Sequence, residues 1–197
     1  MNRFIIEETP KACAMSHCDK HVPKMVVEEG QMLSTAHRLL DGKLIKVPAF
    51  DKDGNQVYLK SGKKRFKKHW EMSDEREFTL YKAAHMGHPC TIWSMETLGN
   101  YQWSVRLFLA LCDEYKHRYG KKHKSEELIP WLIVPPNNIN KSHEITQMPL
   151  AMGANPECIN PDDVMGSYRA FYQTKQERFK MVWTKRPVPE WFEYSAA

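Results

Sequence analysis

Long apolar runs, paired cysteines and nucleotide-cofactor signatures are all missing from this sequence, and each absence removes a class of protein. Nothing in it matches the roughly 20 consecutive apolar residues of a membrane-spanning helix. The opening MNRFIIEETPK carries acidic residues where a secretory leader has an apolar core, so no export signal is expected. These absences point to a cytoplasmic chain without membrane partners. The five cysteines (Cys13, Cys18, Cys90, Cys112 and Cys158) are odd in number and form no CxxC, which argues against both a disulfide framework and a cysteine-rich zinc module. GxGxxG, the P-loop and GxSxG are absent too, so nucleotide-cofactor enzymes and serine hydrolases lose weight, and no cofactor is assigned.

What is present is globular in character. The 197 residues are 42% hydrophobic and 11% aromatic, enough for one substantial core, and one domain over 1–197 is the default. A formal net charge of +5 favours polyanionic partners modestly.

The pattern predicts a mainly α fold: a single compact helical domain with a small β-hairpin excursion. Residues 2–7 read as a short strand. Thr9-Pro10 reads as an N-cap with proline at the first helical position, opening a helix that runs to Asp41-Gly42 and breaks at Pro23 into 10–21 and 23–40. KLIKVPAF and NQVYLK flank the turn-forming Asp51–Gly54, so a hairpin is expected there, within a basic insertion over 43–70. Ser73-Asp74-Glu75 opens a helix to about His85, and further helices are expected over 90–98, 100–119 and 124–133. Val134–Asn160 reads as a long irregular loop, and a last helix runs from Pro161 to about Val182 ahead of a Pro- and Trp-rich tail.

The densest polar cluster is His17-Cys18-Asp19-Lys20-His21. At about 100° per residue, His17, His21, Lys24 and Glu28 share one face of an unbroken helix. Opposite runs an apolar stripe through Val22, Val26, Leu33 and Ala36, into which Glu29 projects. A carboxylate on a buried face either pairs with a cation or shifts its pKa upward, so Glu29 is a candidate general acid or base, or else the partner of Arg38 or a neighbouring helix. His17 and His21 have i, i+4 metal spacing, but within HCDKH rather than HExxH, and no metal is assigned. His85 and His88 either face a pocket or cap helix ends.

The basic run Lys60–Trp70, with Lys63, Lys64, Arg65, Lys67 and Lys68 around Phe66 and Trp70, is expected to be exposed and to hold phosphates. Glu114 and Arg118 form an i, i+4 pair or part of a buried network. Tyr168, Tyr172, Lys175 and Phe179 align beside Arg169, either as core or as a base-stacking face. In the tail, Trp183 and Trp191 bracket Lys185-Arg186 and either lock the C-terminus to the body or contact nucleic acid.

Through HCDKHVPKMVVEEGQMLSTAHRLLDG, HPCTIW, NYQW, EYKHRYGKKHKSEELI and WTKRPVPEWF, nearly the whole chain resembles a protein family encoded by tailed phages and marine viruses. In layout it also resembles the pyrimidine-dimer DNA glycosylases of T-even phages, small basic helical proteins with a catalytic Glu on the first long helix and an aromatic C-terminal tail. That resemblance implies an N-terminal amine attacking the sugar carbon and a carboxylate stabilising the intermediate. Glu28 or Glu29 would fill the second role. Asn2 is bulky, so Met1 is expected to be retained, and the amine would be that of Met1 or of a lysine such as Lys20 or Lys24.

The expectation is therefore a phage-type enzyme acting on DNA (or RNA) in the host cytoplasm, by base excision or base modification. Glu29 or Glu28 would be the acid/base group beside His17, His21 and Lys24, and Lys63–Lys68, Arg118, Arg169, Tyr172, Lys175 and Arg186 would contact the nucleic acid. Two alternatives are a metal-dependent hydrolase built on His17, Asp19 and His21, with His85 or His88, and a non-catalytic nucleic-acid-binding module.

Overall fold

The computed structural model describes residues 2–195, and the fold is mainly α, as the periodicity predicts. In chain order the helices are α1 (Pro10–Ser16), α2 (His21–Asp41), α3 (Arg76–Thr79), α4 (Pro89–Glu96), α5 (Leu98–Tyr119), α6 (Ile129–Leu132) and α7 (Val164–Gln173). Strands β1 (Lys43–Pro48) and β2 (Phe66–Glu71) pair antiparallel between α2 and α3, with Lys43 opposite Glu71 and Pro48 opposite Phe66.

The two long helices, α2 and α5, pack against each other and carry the core. From α2 come Met25, Val26, Leu33 and Ala36, and from α5 come Leu107, Phe108, Leu111 and Cys112, all buried. Each large apolar side chain buried here is worth about 1.5–3 kcal/mol, which overrides the weak helix propensity of the β-branched residues in α2. Two helices start where local chemistry dictates. The Thr97 hydroxyl accepts from the Asn100 N–H (3.0 Å) at the head of α5, and Asp163 accepts from Gly166 (2.7 Å) at the head of α7. Gly120, with φ of 69°, closes α5 in a conformation that side chains resist.

Several boundaries differ from the sequence expectation, each for a visible reason. The first helix breaks at His17–Lys20, not at Pro23. Pro23 falls in the first turn of α2, where the missing N–H has no intrahelical acceptor in any case. The break is held from outside: the Cys18 N–H donates to the Tyr172 hydroxyl (2.9 Å) and the Asp19 N–H to the Val182 carbonyl (2.8 Å). Residues 2–7 form no strand but thread through the core, with Arg3, Phe4 and Ile6 buried. The expected helix over 73–85 stops at Thr79, because the Arg38 guanidinium takes the carbonyls of Glu77, Leu80 and Tyr81. The last helix stops at Gln173 and gives way to a 3-10 turn, Thr174–Glu177, where the Thr174 hydroxyl donates to the Phe171 carbonyl (2.8 Å).

Residues 43–71 form a β arm rather than the short hairpin expected. The turn at 51–54 is there, and Phe50 bridges Gln56, but β1 pairs with β2 from the basic run, and a second bridge joins Tyr58 to Lys64. The arm's base is tied to the body where Arg38 donates to the Trp70 carbonyl (2.8 Å). Among the described residues, no helix is long and apolar enough to cross a membrane.

Candidate functional site

The N-terminal segment is pinned in the core by one ion pair. Arg3 grips Glu29 in bidentate fashion, Nε to Oε1 at 2.8 Å and Nη2 to Oε2 at 2.5 Å, and both side chains are 0% exposed. The guanidinium also donates to Ser94 Oγ (3.0 Å) and packs over the rings of Trp93 and Trp103. Burial pushes the Glu29 carboxyl above its ordinary value, and Arg3 pulls against that shift. Glu29 thus has the buried placement that the apolar stripe predicts, but its partner is Arg3 rather than Arg38, and it opens onto no cleft.

Glu28, one residue earlier, turns to the edge. Its side chain is 12% exposed; Oε2 accepts from the Asn2 backbone N–H (2.9 Å), and Oε1 lies 3.5 Å from the Lys24 ammonium. Asn2 is held on several sides. Its side-chain amide donates to the Ala151 carbonyl (3.0 Å), and its Oδ1 accepts from the Arg3 N–H (2.8 Å) and from Cys90 Sγ (3.7 Å). His88 uses Nδ1 to cap α4, accepting from the Cys90 N–H (3.2 Å). Its pKa is lowered chiefly by burial, with basic neighbours including His85 adding to the shift and Glu28 opposing it, which puts Glu28 and His88 within electrostatic reach. Of the expected cluster, Lys24 and Glu28 therefore meet, joined by Asn2. The amine of Met1, the other group expected here, lies outside the described residues.

His17 and His21 do not join this edge. Both are buried, with ring centroids 6.5 Å apart, in an aromatic nest formed by Phe4 and Tyr172. Burial lowers the pKa of His17 to about 4 and of His21 to about 3, so both are neutral at pH 7. Asp19, the third member of the proposed metal set, is engaged by Arg118 Nη1 (2.9 Å) and by the Thr184 N–H (2.9 Å) and hydroxyl (2.6 Å). Among the described residues, no group of three or more His, Cys, Asp or Glu is placed to hold a metal ion.

The expected nucleic-acid contacts divide into two sets. Lys63, Lys64, Arg65, Lys67 and Lys68 all stand exposed on the arm, which carries nine Lys or Arg against three Asp or Glu over 43–71. Phe50, Tyr58 and Phe66 are exposed among them, each by more than half its surface. The second set faces inward. Arg118 is buried against Glu114 (2.6 Å), and Arg186 grips the same carboxylate (2.8 Å). Arg169 pairs with Glu7 (3.0 Å) beneath Trp191. Tyr172 is fully buried and donates no face to solvent. Lys175 packs its ammonium 3.3 Å from the centre of the Phe171 ring, and its pKa is lowered to about 8, chiefly by burial. These five side chains lock α7 and the tail to the body, with Trp183 and Phe192 buried beside them.

Sequence reasoning did not single out Arg3, Asn2 or Cys90 as members of this site, because each acts through a partner more than 25 positions away. It also missed Phe50 and Tyr58, which read as ordinary strand residues. No family model, curated protein or solved structure matches this chain.

Proposed function

We propose that this protein is a nucleic-acid-acting enzyme, most concretely a DNA base-excision or base-modification enzyme, with Glu28 as its working carboxylate. The observation that carries the reading is the arm, a projecting β structure with a ninefold cluster of Lys and Arg interleaved with exposed aromatic rings. Lysines and arginines neutralise phosphates, and aromatic faces stack on bases of any sequence.

The chemistry assigned to Glu28 follows from its place. A carboxylate that is partly desolvated yet reachable, beside an ammonium, suits a reaction that develops positive charge on a sugar. In base excision a nucleophile attacks C1′ of the deoxyribose, the C1′–N bond breaks, and the departing base takes the electron pair and then a proton. Glu28 would activate the nucleophile, either water or the Lys24 amine, and shield the cationic sugar. Glu29 is not available for this role, because its carboxylate is committed to Arg3.

The test is incubation of the purified protein with UV-irradiated, undamaged and base-modified duplex DNA, with and without borohydride and chelator. Strand cleavage or a trapped adduct that is lost in Glu28→Gln supports the reading, and intact DNA in every lane overturns it. A binding-module reading is favoured by one observation: thirteen residues of α2, about 20 Å, separate Glu28 from the helix end that carries the arm, so binding can operate without the carboxylate. Retention of DNA binding with no turnover in any lane would select it.

A further inference from the structure

A groove of about 570 Å³ lies between the arm and residues 82–83, within the roughly 300–1,000 Å³ typical of small-molecule sites. Val47, Pro48, Phe50 and Trp70 give it apolar and aromatic surface, and Lys67, Lys68 and Lys82 supply positive charge. His69 completes the polar wall.

One of these cations, Lys82, is set in place before any ligand arrives. Glu77 Oε1 takes both the Lys82 ammonium (2.5 Å) and the His69 Nε2 (3.0 Å), while Oε2 is occupied by the buried Arg38 (2.6 Å) and the Met72 N–H (3.0 Å). One carboxylate thus fixes two cationic side chains and an imidazole. Among the described residues, no ion pair holds Lys46, Lys67 or Lys68. Lys46 stands directly opposite Lys68 in the β register. Like charges facing one another across a strand pair destabilise it.

From this arrangement we infer that the groove binds one unstacked nucleotide of a single-stranded segment, its base against Trp70 and Phe50 and its phosphates on Lys67, Lys68 and Lys82. An apolar slot bearing an aromatic face accepts a base whose own faces are free, which a base inside a duplex does not offer. The inference rests on the nucleic-acid reading above and adds that the arm takes single strand in preference to duplex.

The experiment is fluorescence anisotropy of a labelled twelve-residue oligothymidylate and a labelled twelve-base-pair duplex. It compares wild type, the groove variant Lys67→Gln/Lys68→Gln, the equally neutralised turn variant Lys52→Gln/Lys60→Gln, and Phe50→Ala, each checked for folding by circular dichroism. Wild type is expected to bind the single strand at least fivefold more tightly than the duplex. The groove variant loses tenfold or more on the single strand, with a salt slope shallower by about 1.4, as two lost phosphate contacts require, and the turn variant loses less than threefold. Phe50→Ala weakens single-strand binding at least fivefold and leaves duplex binding unchanged. Equal losses in the groove and turn variants, or none in the groove variant while wild type binds DNA, overturn this site and leave the nucleic-acid reading standing. A wild type that binds neither form overturns both.

Discussion

Glu28 and Glu29 are neighbours in sequence, yet the rotation of about 100° between them on α2 separates a carboxylate at the protein's edge from one sealed in its core. The sealed one anchors Arg3, and Arg3 carries Asn2, whose backbone N–H donates to Glu28. The structural carboxylate thereby sets the position of the segment that faces the other one.

Removing either partner of the buried pair leaves an uncompensated group in the core. Glu29→Gln and Arg3→Met are each expected to lower the unfolding free energy by about 3–5 kcal/mol, whereas Arg3→Met/Glu29→Leu recovers most of the loss. Urea denaturation of the three variants measures this. A loss below about 1 kcal/mol for the single variants would mean that the pair does not hold the N-terminal segment.

Glu28→Gln separates function from stability. The amide oxygen still accepts from the Asn2 N–H, and the lost ion pair with the half-exposed Lys24 contributes at most about 1 kcal/mol. Stability should therefore fall by no more than about 1 kcal/mol while the proposed excision activity falls at least a hundredfold, the scale expected for a charge acting in the transition state. Activity that tracks stability across both Glu variants would remove Glu28 from the chemistry.

The helical plan was legible because its signals are local. Thr97 and Asp163 cap their helices from positions next to the residues they serve, and the apolar stripe on α2 placed Glu29 inside. The partners were not legible. Arg3 lies 26 residues from Glu29, and nothing in the local pattern distinguishes it from the expected Arg38. Arg38 itself ended α3 by taking three carbonyls, a tertiary effect invisible to periodicity. β2 reads FKKHWE, with no alternation of apolar and polar residues, so its pairing with β1 escaped notice. The basic residues of the tail and of α7 looked like those of the arm, and only burial separates them.

Acid should destabilise the fold through its buried imidazoles. Burial lowers His17 to about 4, His21 to about 3 and His37 to about 4, from an ordinary value of 6.5. His37 shows why: Arg76 donates to Nδ1 (3.0 Å), so Nε2 carries the ring's proton and donates to the Tyr101 hydroxyl (2.8 Å), which in turn donates to the Leu132 carbonyl (2.9 Å). Below pH 6.5 the unfolded chain takes up protons that the folded chain refuses. Stability is therefore complete above pH 6.5 and falls as the pH drops towards 4, by up to about 1.4 kcal/mol per pH unit for each ring. Urea midpoints at pH 7.5 and 4.5 should differ by at least about 3 kcal/mol in unfolding free energy, and a flat profile would mean that the rings protonate in place.

Gly99 ties the long irregular segment to the site. The start of α5 holds residues 140–146 through backbone and side chain: Leu98 N–H to the Asn140 carbonyl (2.8 Å), Gly99 N–H to the Ser142 carbonyl (3.1 Å), and Thr97 Oγ1 to the Glu144 carbonyl (2.7 Å). Asn100 adds a bond from the Thr146 N–H to its own Oδ1 (2.9 Å). A Cβ on Gly99 would run into the carbonyl oxygens of His143 and Glu144, which are backbone and have no rotamer to escape into. Gly99→Ala must therefore displace this segment, at a cost of about 1–3 kcal/mol. Because the same segment continues to Pro149, which accepts from the Tyr168 hydroxyl (2.6 Å), and to Ala151, which holds the Asn2 side chain, the displacement should reach the Glu28 edge. Amide hydrogen exchange in Gly99→Ala should then quicken over 140–151 and at Asn2 and Arg3, while α7 keeps its protection; unchanged exchange at residues 2–3 would show that the segment does not support the N-terminal edge.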